Sequence, residues 1–253
     1  VDRRRRLLHR GVQAAWAWLD RAGQIVPGTD AAEAFGSFGP ESCIGFPAAT
    51  LMNVGSIHLG ARTLVGRQAT LSVGYGPGET HLPARALVIG DRCVIGARAA
   101  ITAHSSITIG DDVWCGQDVF VSDAGHGYQE LETPIGRQLG EHHPVVIGSG
   151  TWIGHGAIIL PGARIGRNVV VAAGSVVRGT VEDRSVVGGA PARTIRRYVE
   201  GVGWVTADGD VRPVLAPFGD GLDLPYDDPL DAGLRPAARV RFRQPGGGRP
   251  SRG

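Results

Sequence analysis

Of the eight histidines in the chain, His126 has the setting in which an imidazole does chemistry. It stands between two glycines in Val121-Ser-Asp-Ala-Gly-His126-Gly-Tyr128. A neutral imidazole titrates near pH 6.5, so it can take the proton of an attacking hydroxyl at ordinary cellular pH. The competing reading is a solvated loop histidine. Asp123, Glu130 and Glu132 could orient the other ring nitrogen; Asp123 is nearest in sequence, and an ordinary loop charge is the alternative for each. His104 could line an acceptor site together with Tyr128, or simply turn a corner. Arg178, Arg193 and Arg196 carry guanidinium forks suited to phosphate. Zinc would need three histidines converging at about 2.0–2.1 Å. His81, His104, His126, His142, His143 and His155 are available, but they lack a paired spacing, and no metal is expected.

Something must hold these groups, and the spacing of aliphatic residues says what. An aliphatic residue followed by a small one recurs every six positions. The runs are Leu59-Gly60, Val65-Gly66, Leu71-Ser72, then Ile89-Gly90, Ile95-Gly96, Ile101-Thr102, Ile107-Thr108. After a two-residue slip come Ile109-Gly110, Cys115-Gly116 and Val121-Ser122. The last run goes from Ile147-Gly148 through Ile153, Ile159, Ile165 and Val171 to Val177. A period of six is neither helical nor that of a hairpin meander. It fits a triangular coil, with three short strands per turn, the aliphatic residue pointing inward and its small successor at the bend. The expected fold is therefore all-β, a parallel β-helix of hexapeptide repeats with a short N-terminal helix and a C-terminal extension.

Composition agrees with this reading. Glycine occurs 40 times in 253 residues, about double its usual share, and repeated tight turns account for it. The net charge of +2 gives no electrostatic footprint for nucleic acid. Cys43, Cys93 and Cys115 are too few and too scattered for a disulfide framework. They read as reduced core residues, which points to the cytoplasm. No segment has the roughly 20 apolar residues of a membrane span.

The boundaries expected are an N-terminal helical segment at 1–40, a β-helix at 41–193 and a C-terminal extension at 194–253. Leu8, Val12, Ala15, Trp16 and Leu19 share one helical face, as in a helix that docks. Residues 74–86 and 123–146 interrupt the repeat, and the second is a long excursion of the kind that carries function. A short helix is expected over 194–199, a hairpin over 203–215, and a flexible tail over 244–253.

Three stretches resemble the hexapeptide-repeat acyltransferases, in particular sugar O-acetyltransferases of the galactoside and maltose type and their relatives in polysaccharide clusters. They are Ile107-Thr-Ile-Gly-Asp-Asp-Val-Trp leading to His126-Gly-Tyr128, Pro144-Val-Val-Ile-Gly-Ser-Gly-Thr-Trp152-Ile-Gly, and Leu160-Pro-Gly through Ala173-Gly174-Ser175 to Gly189-Ala-Pro191-Ala-Arg193. The resemblance implies a left-handed coil. It implies acyl transfer, acetyl above all, from acetyl-CoA or another acyl-CoA to a sugar hydroxyl by direct attack on the thioester. His126 would be the base. It further implies a homotrimer, and coenzyme A contacts at Trp152, His155, Ala173, Gly174, Arg178 and Arg193. The asparagine motif of the galactoside enzymes is missing, because the corresponding stretch reads Gly96-Ala-Arg98-Ala, so their sugar preference does not transfer. A γ-type carbonic anhydrase and a non-catalytic β-helix scaffold remain the alternatives.

Overall fold

The structure, a computed structural model, describes residues 2–212 and Val214. The six-residue period folds as a left-handed parallel β-helix with three flat faces. Face one stacks seven strands, among them Leu87–Ile89, Ile107–Ile109 and Val145–Ile147. Face two begins at Cys43–Ile44 and runs through Trp114–Cys115 and Trp152–Ile153 to Ser185–Gly189. Face three holds six strands, from Thr50–Met52 to Val176–Val177. Neighbouring coils pair in parallel and in register, so Ile89, Ile109 and Ile147 lie above one another.

The core is that column. Leu59, Ile89, Ile109 and Ile147 fill it from face one, Val65, Ile95 and Ile153 from face two, and Leu71, Ile101, Val121 and Ile159 from face three; all are buried. Each such side chain contributes about 1.5–3 kcal/mol on burial. Cys43, Cys93 and Cys115 are free and buried, as the sequence indicated. Burial pushes the Cys115 thiol up to about 12 and that of Cys93 up to about 11.

The small residue after each aliphatic one has a measurable cause. A Cβ on Gly96 would stand 2.3 Å from the Gly116 carbonyl oxygen, and one on Gly154 would stand 2.5 Å from the Ala173 nitrogen. Coils one strand spacing apart leave no room there. A second demand was not evident in the sequence pattern. The bends after Ile89, Ile95, Ile109 and Cys115 each place a residue, Arg92, Arg98, Asp112 and Asp118, in the left-handed region at φ of 54–58°. These strained positions stack, and the forks of Arg92 and Arg98 grip Asp112 and Asp118 of the next coil at 2.7–2.8 Å.

The flanks depart from expectation. α1 (Arg3–Gly23) forms, but none of its residues is buried, so its apolar face does not dock on the coils. Among the described residues, its contacts with the coils lie at its C-terminal end: Asp20 pairs with Arg67 at 2.6 Å, and Gly23 lies so near the Phe46 ring that a Cβ would clash at 2.4 Å. The first strand of face one, Ser37–Phe38, begins before the expected boundary at 41. Residues 194–199 are not helical. They belong to the strand Ala192–Val199, which runs antiparallel to Ser185–Gly189 and crosses the expected boundary at 193. Gly203–Thr206 and Val211–Arg212 add the expected hairpin. Together these strands cover the open edge of face two, where unpaired N–H and C=O groups would otherwise invite pairing. The tail expected over 244–253 lies outside the described residues.

Candidate active site

The longer insertions among the described coils leave from one edge, where face three turns into face one. Residues 74–86, the two-residue slip at 103–106 and the excursion at 123–144 all emerge there, from three successive coils. A rigid column of coils thus brings loops far apart in sequence onto one line.

The excursion is an antiparallel ribbon of Ala124–His126 and Leu139–His142, with a register shift between Ala124 and His126. Gly140 permits the close approach of its strands, since a Cβ there would come within 2.4 Å of the Gly125 carbonyl oxygen. His126 is exposed on this ribbon. Its Nδ1 faces the Gln138 carbonyl at 3.3 Å. A carbonyl only accepts, so this contact selects the tautomer with Nδ1–H as donor and leaves the lone pair of Nε2 free. Gln138 is itself braced: its side-chain amide donates to the Glu130 and Thr133 carbonyls, each at 2.7 Å, and accepts from the Glu130 N–H at 3.1 Å. An open hollow borders His126, lined by Gly125, Gln129, Leu139, Glu141, His143 and Pro161.

Asp123 does not orient this imidazole, which corrects the expectation. Its carboxylate is 0 % exposed and accepts from the backbone N–H groups of His104, Ser105 and Ser106 at 2.8, 2.7 and 2.7 Å. These are the residues of the two-residue slip. Lengthening the corner turns three successive N–H groups inward, and a carboxylate from the next coil satisfies all of them. The same residue roots the ribbon, because its carbonyl accepts from the His143 N–H at 2.7 Å.

His104 is mostly buried at that corner, with Nδ1 at 3.5 Å from Asp123 Oδ1. It packs against the rings of Tyr75 and His142, with centroids 4.5 and 5.5 Å away. The Tyr75 hydroxyl bonds His142 Nε2. Burial, then the charges of Asp123 and Glu79, push the Tyr75 phenol up and keep it a donor. His104 therefore belongs to a cluster at the ribbon's base, while His126 stands further out. Tyr128 is 72 % exposed just beyond the ribbon strand. Sequence reasoning misses Tyr75, Gln138 and Gly140 and meets His142 only as a zinc candidate; of these, Gly140 carries a signal, as a glycine inside a segment with strand character.

The residues implied for the donor lie on and beyond the last coils. Trp152 points outward from face two, directly beside Trp114 of the preceding coil. His155 follows at the bend, with Nδ1 at 3.7 Å from Asp118, whose carboxyl the Arg98 fork holds below the usual range. The Gly174 N–H donates to the His155 carbonyl at 2.8 Å, and Ala173 lies against Gly154. These four residues therefore occupy neighbouring bends and faces of stacked coils. Arg178 is exposed at the bend after Val176–Val177, and Arg193 is exposed on the capping strand opposite Gly188. Among the described residues, no three His, Cys, Asp or Glu side chains are grouped to hold a metal ion.

Comparison with known proteins agrees with this architecture. Residues 144–179 match the family "Bacterial transferase hexapeptide (six repeats)", and residues 86–119 match "Hexapeptide repeat of succinyl-transferase". The putative lipopolysaccharide biosynthesis O-acetyl transferase WbbJ of Escherichia coli is 39% identical over 87 residues, covering 31% of this chain and 44% of that protein. The galactoside O-acetyltransferase of Escherichia coli is 42% identical over 62 residues, covering 24% and 30%. The chain thus spans less than half the length of these curated relatives. Among solved structures, a mutant of AntD, an N-acyltransferase from Bacillus cereus in complex with dTDP and coenzyme A, superposes with a TM-score of 0.58 at 21% identity, covering 70% of this chain and 92% of that one. In its repeats, its coil and these partial matches, the chain is a hexapeptide-repeat protein that resembles the acyltransferases of that group.

Proposed function

We propose that the chain is an acyl-CoA-dependent O-acyltransferase, acetyl being the favoured acyl group, and that its acceptor is a sugar or polysaccharide-precursor hydroxyl. The observation that carries this reading is the His126 imidazole, exposed on a braced ribbon with Nδ1 committed to a carbonyl and Nε2 left to act. In the proposed reaction Nε2 takes the acceptor's proton as its oxygen attacks the thioester carbonyl. The C–S bond breaks, and the departing thiolate takes the proton back from the imidazolium. WbbJ and the galactoside enzyme, both named as O-acetyltransferases, support the choice of a hydroxyl acceptor. The test is release of free thiol from acetyl-CoA in the presence of a panel of sugars. Acceptor-dependent release is expected; failure to bind coenzyme A at all would favour the scaffold alternative.

The small-residue bends at Gly154, Ala173 and Gly174 suit the donor, because they let an extended pantetheine chain lie close to backbone. One flat face is too shallow to enclose it, so we place the site between the prisms of a homotrimer. Trp114, Trp152, Phe120 and Ile158, apolar and partly exposed on two faces, support such an assembly. The reduced, buried cysteines support a cytoplasmic setting.

Arg193 is proposed to hold a phosphate at the adenosine end of the donor. A charge-assisted contact contributes about 1.5–3 kcal/mol, so Arg193→Ala should weaken coenzyme A binding roughly ten- to a hundred-fold. Affinity for the 3′-dephosphorylated analogue should change far less. Equal weakening of both ligands, read by calorimetry, would make Arg193 structural and turn attention to Arg178 or Arg196.

A further inference from the structure

Among the described residues, α1 is anchored at its root and unpartnered along its body. At 3.6 residues per turn, Leu7, Leu8, Val12, Ala15, Trp16, Trp18 and Leu19 gather on about half of its circumference. Leu8 is 71% exposed, Val12 64% and Trp18 63%. The opposite half carries Arg3, Arg6, Arg10 and Arg21, with His9 and Gln13. Arg4 and Arg5 fall within the apolar half at its N-terminal end, where long stems can reach back toward water. The one carboxylate within the helix, Asp20, is taken by Arg67.

The arginines sit where the helix itself disfavours them. The N-terminal end of a helix is its positive pole, which acidic side chains relieve; one acid, Asp2, caps it by accepting from the Arg4 N–H at 3.2 Å, and the first turn itself has none. Four consecutive arginines there make sense against an external negative charge. Helix-to-helix contact would call for a narrow apolar seam. A broad apolar half, tryptophans and a basic remainder fit a helix lying in the plane of a bilayer interface. α1 cannot cross a bilayer, since no helix among the described residues is long and apolar enough.

We infer that α1 is a membrane-surface anchor that holds the β-helix against an anionic lipid bilayer. The proposal is independent of the transferase reading. Its test is sedimentation of the full chain with vesicles of phosphatidylcholine, with and without phosphatidylglycerol. Binding is expected only with phosphatidylglycerol, weakening as salt is raised. An arginine near such a surface contributes roughly a fivefold factor in partitioning, so Arg6→Gln with Arg10→Gln should lower binding about 25-fold. Leu8→Gln with Leu19→Gln, which preserves helix propensity, should abolish it. Because no residue of α1 is buried, both variants should keep the thermal transition of the parent. Equal binding to both vesicle types, or no binding to either, overturns the proposal. So does a change of assembly size in the leucine variant without loss of vesicle binding, which would assign the apolar half to a second copy of the chain.

Discussion

Replacing His126 with alanine should cut acyl turnover by about 10²–10⁴ and leave donor affinity nearly unchanged. The imidazole is held by its Nδ1 contact to the Gln138 carbonyl and packs into no core, so its loss leaves the coil intact. The effect should therefore fall on kcat, with the thermal transition and coenzyme A binding as controls. Steady-state rates of thiol release against calorimetric affinity separate the two. A variant that turns over at the parental rate would move the chemistry to the Tyr75, His104 and His142 cluster. That cluster is the other group of titratable rings on the same edge.

The second large effect is expected on stability. Asp123→Ala removes the buried acceptor for three partly buried backbone N–H groups and should cost about 3–6 kcal/mol, since bonds to a charged group contribute about 1.5–3 kcal/mol each and do not add fully. For a chain of this size that corresponds to a fall of roughly 10 °C in the thermal midpoint. Asp123→Asn, which keeps the shape and one acceptor oxygen, should lose about half as much. Folded Asp123→Asn should retain turnover at low temperature, because the carboxylate clamps the 103–106 corner rather than the His126 ring. A drop of less than about 2 °C in the alanine variant sinks the clamp. Turnover lost as completely as in His126→Ala would return Asp123 to the chemistry.

The contrast between these two residues marks what could be read in advance. The placement of His126 on an exposed excursion is legible because its signal is local: a histidine between glycines, on a departure from a regular repeat. Asp123 is equally visible as an acidic neighbour, but its partners come from the preceding coil, and sequence proximity suggested the wrong one. The two-residue slip at 103–106 was visible as a break in the count of six. That it turns three N–H groups inward, and so needs a carboxylate, follows only when one coil lies on another.

The sequence by itself determined the prism. A period of six with small residues at the bends admits one compact solution, because inward aliphatics and corner glycines are set by contacts between identical positions one coil apart. The period also located the excursion that carries His126. The tertiary structure decided what depends on groups meeting across coils and across the surface. It gave the common edge from which the insertions at 74–86, 103–106 and 123–144 leave, and the bracing of His126 by Gln138. It also set the strand at 192–199, whose residues 194–199 read as a helix in isolation but pair with the open edge of face two. α1 belongs to the same class. Its amphipathic pattern fixes a helix with an apolar face, but a pattern cannot say what covers that face, and in this fold the coils do not.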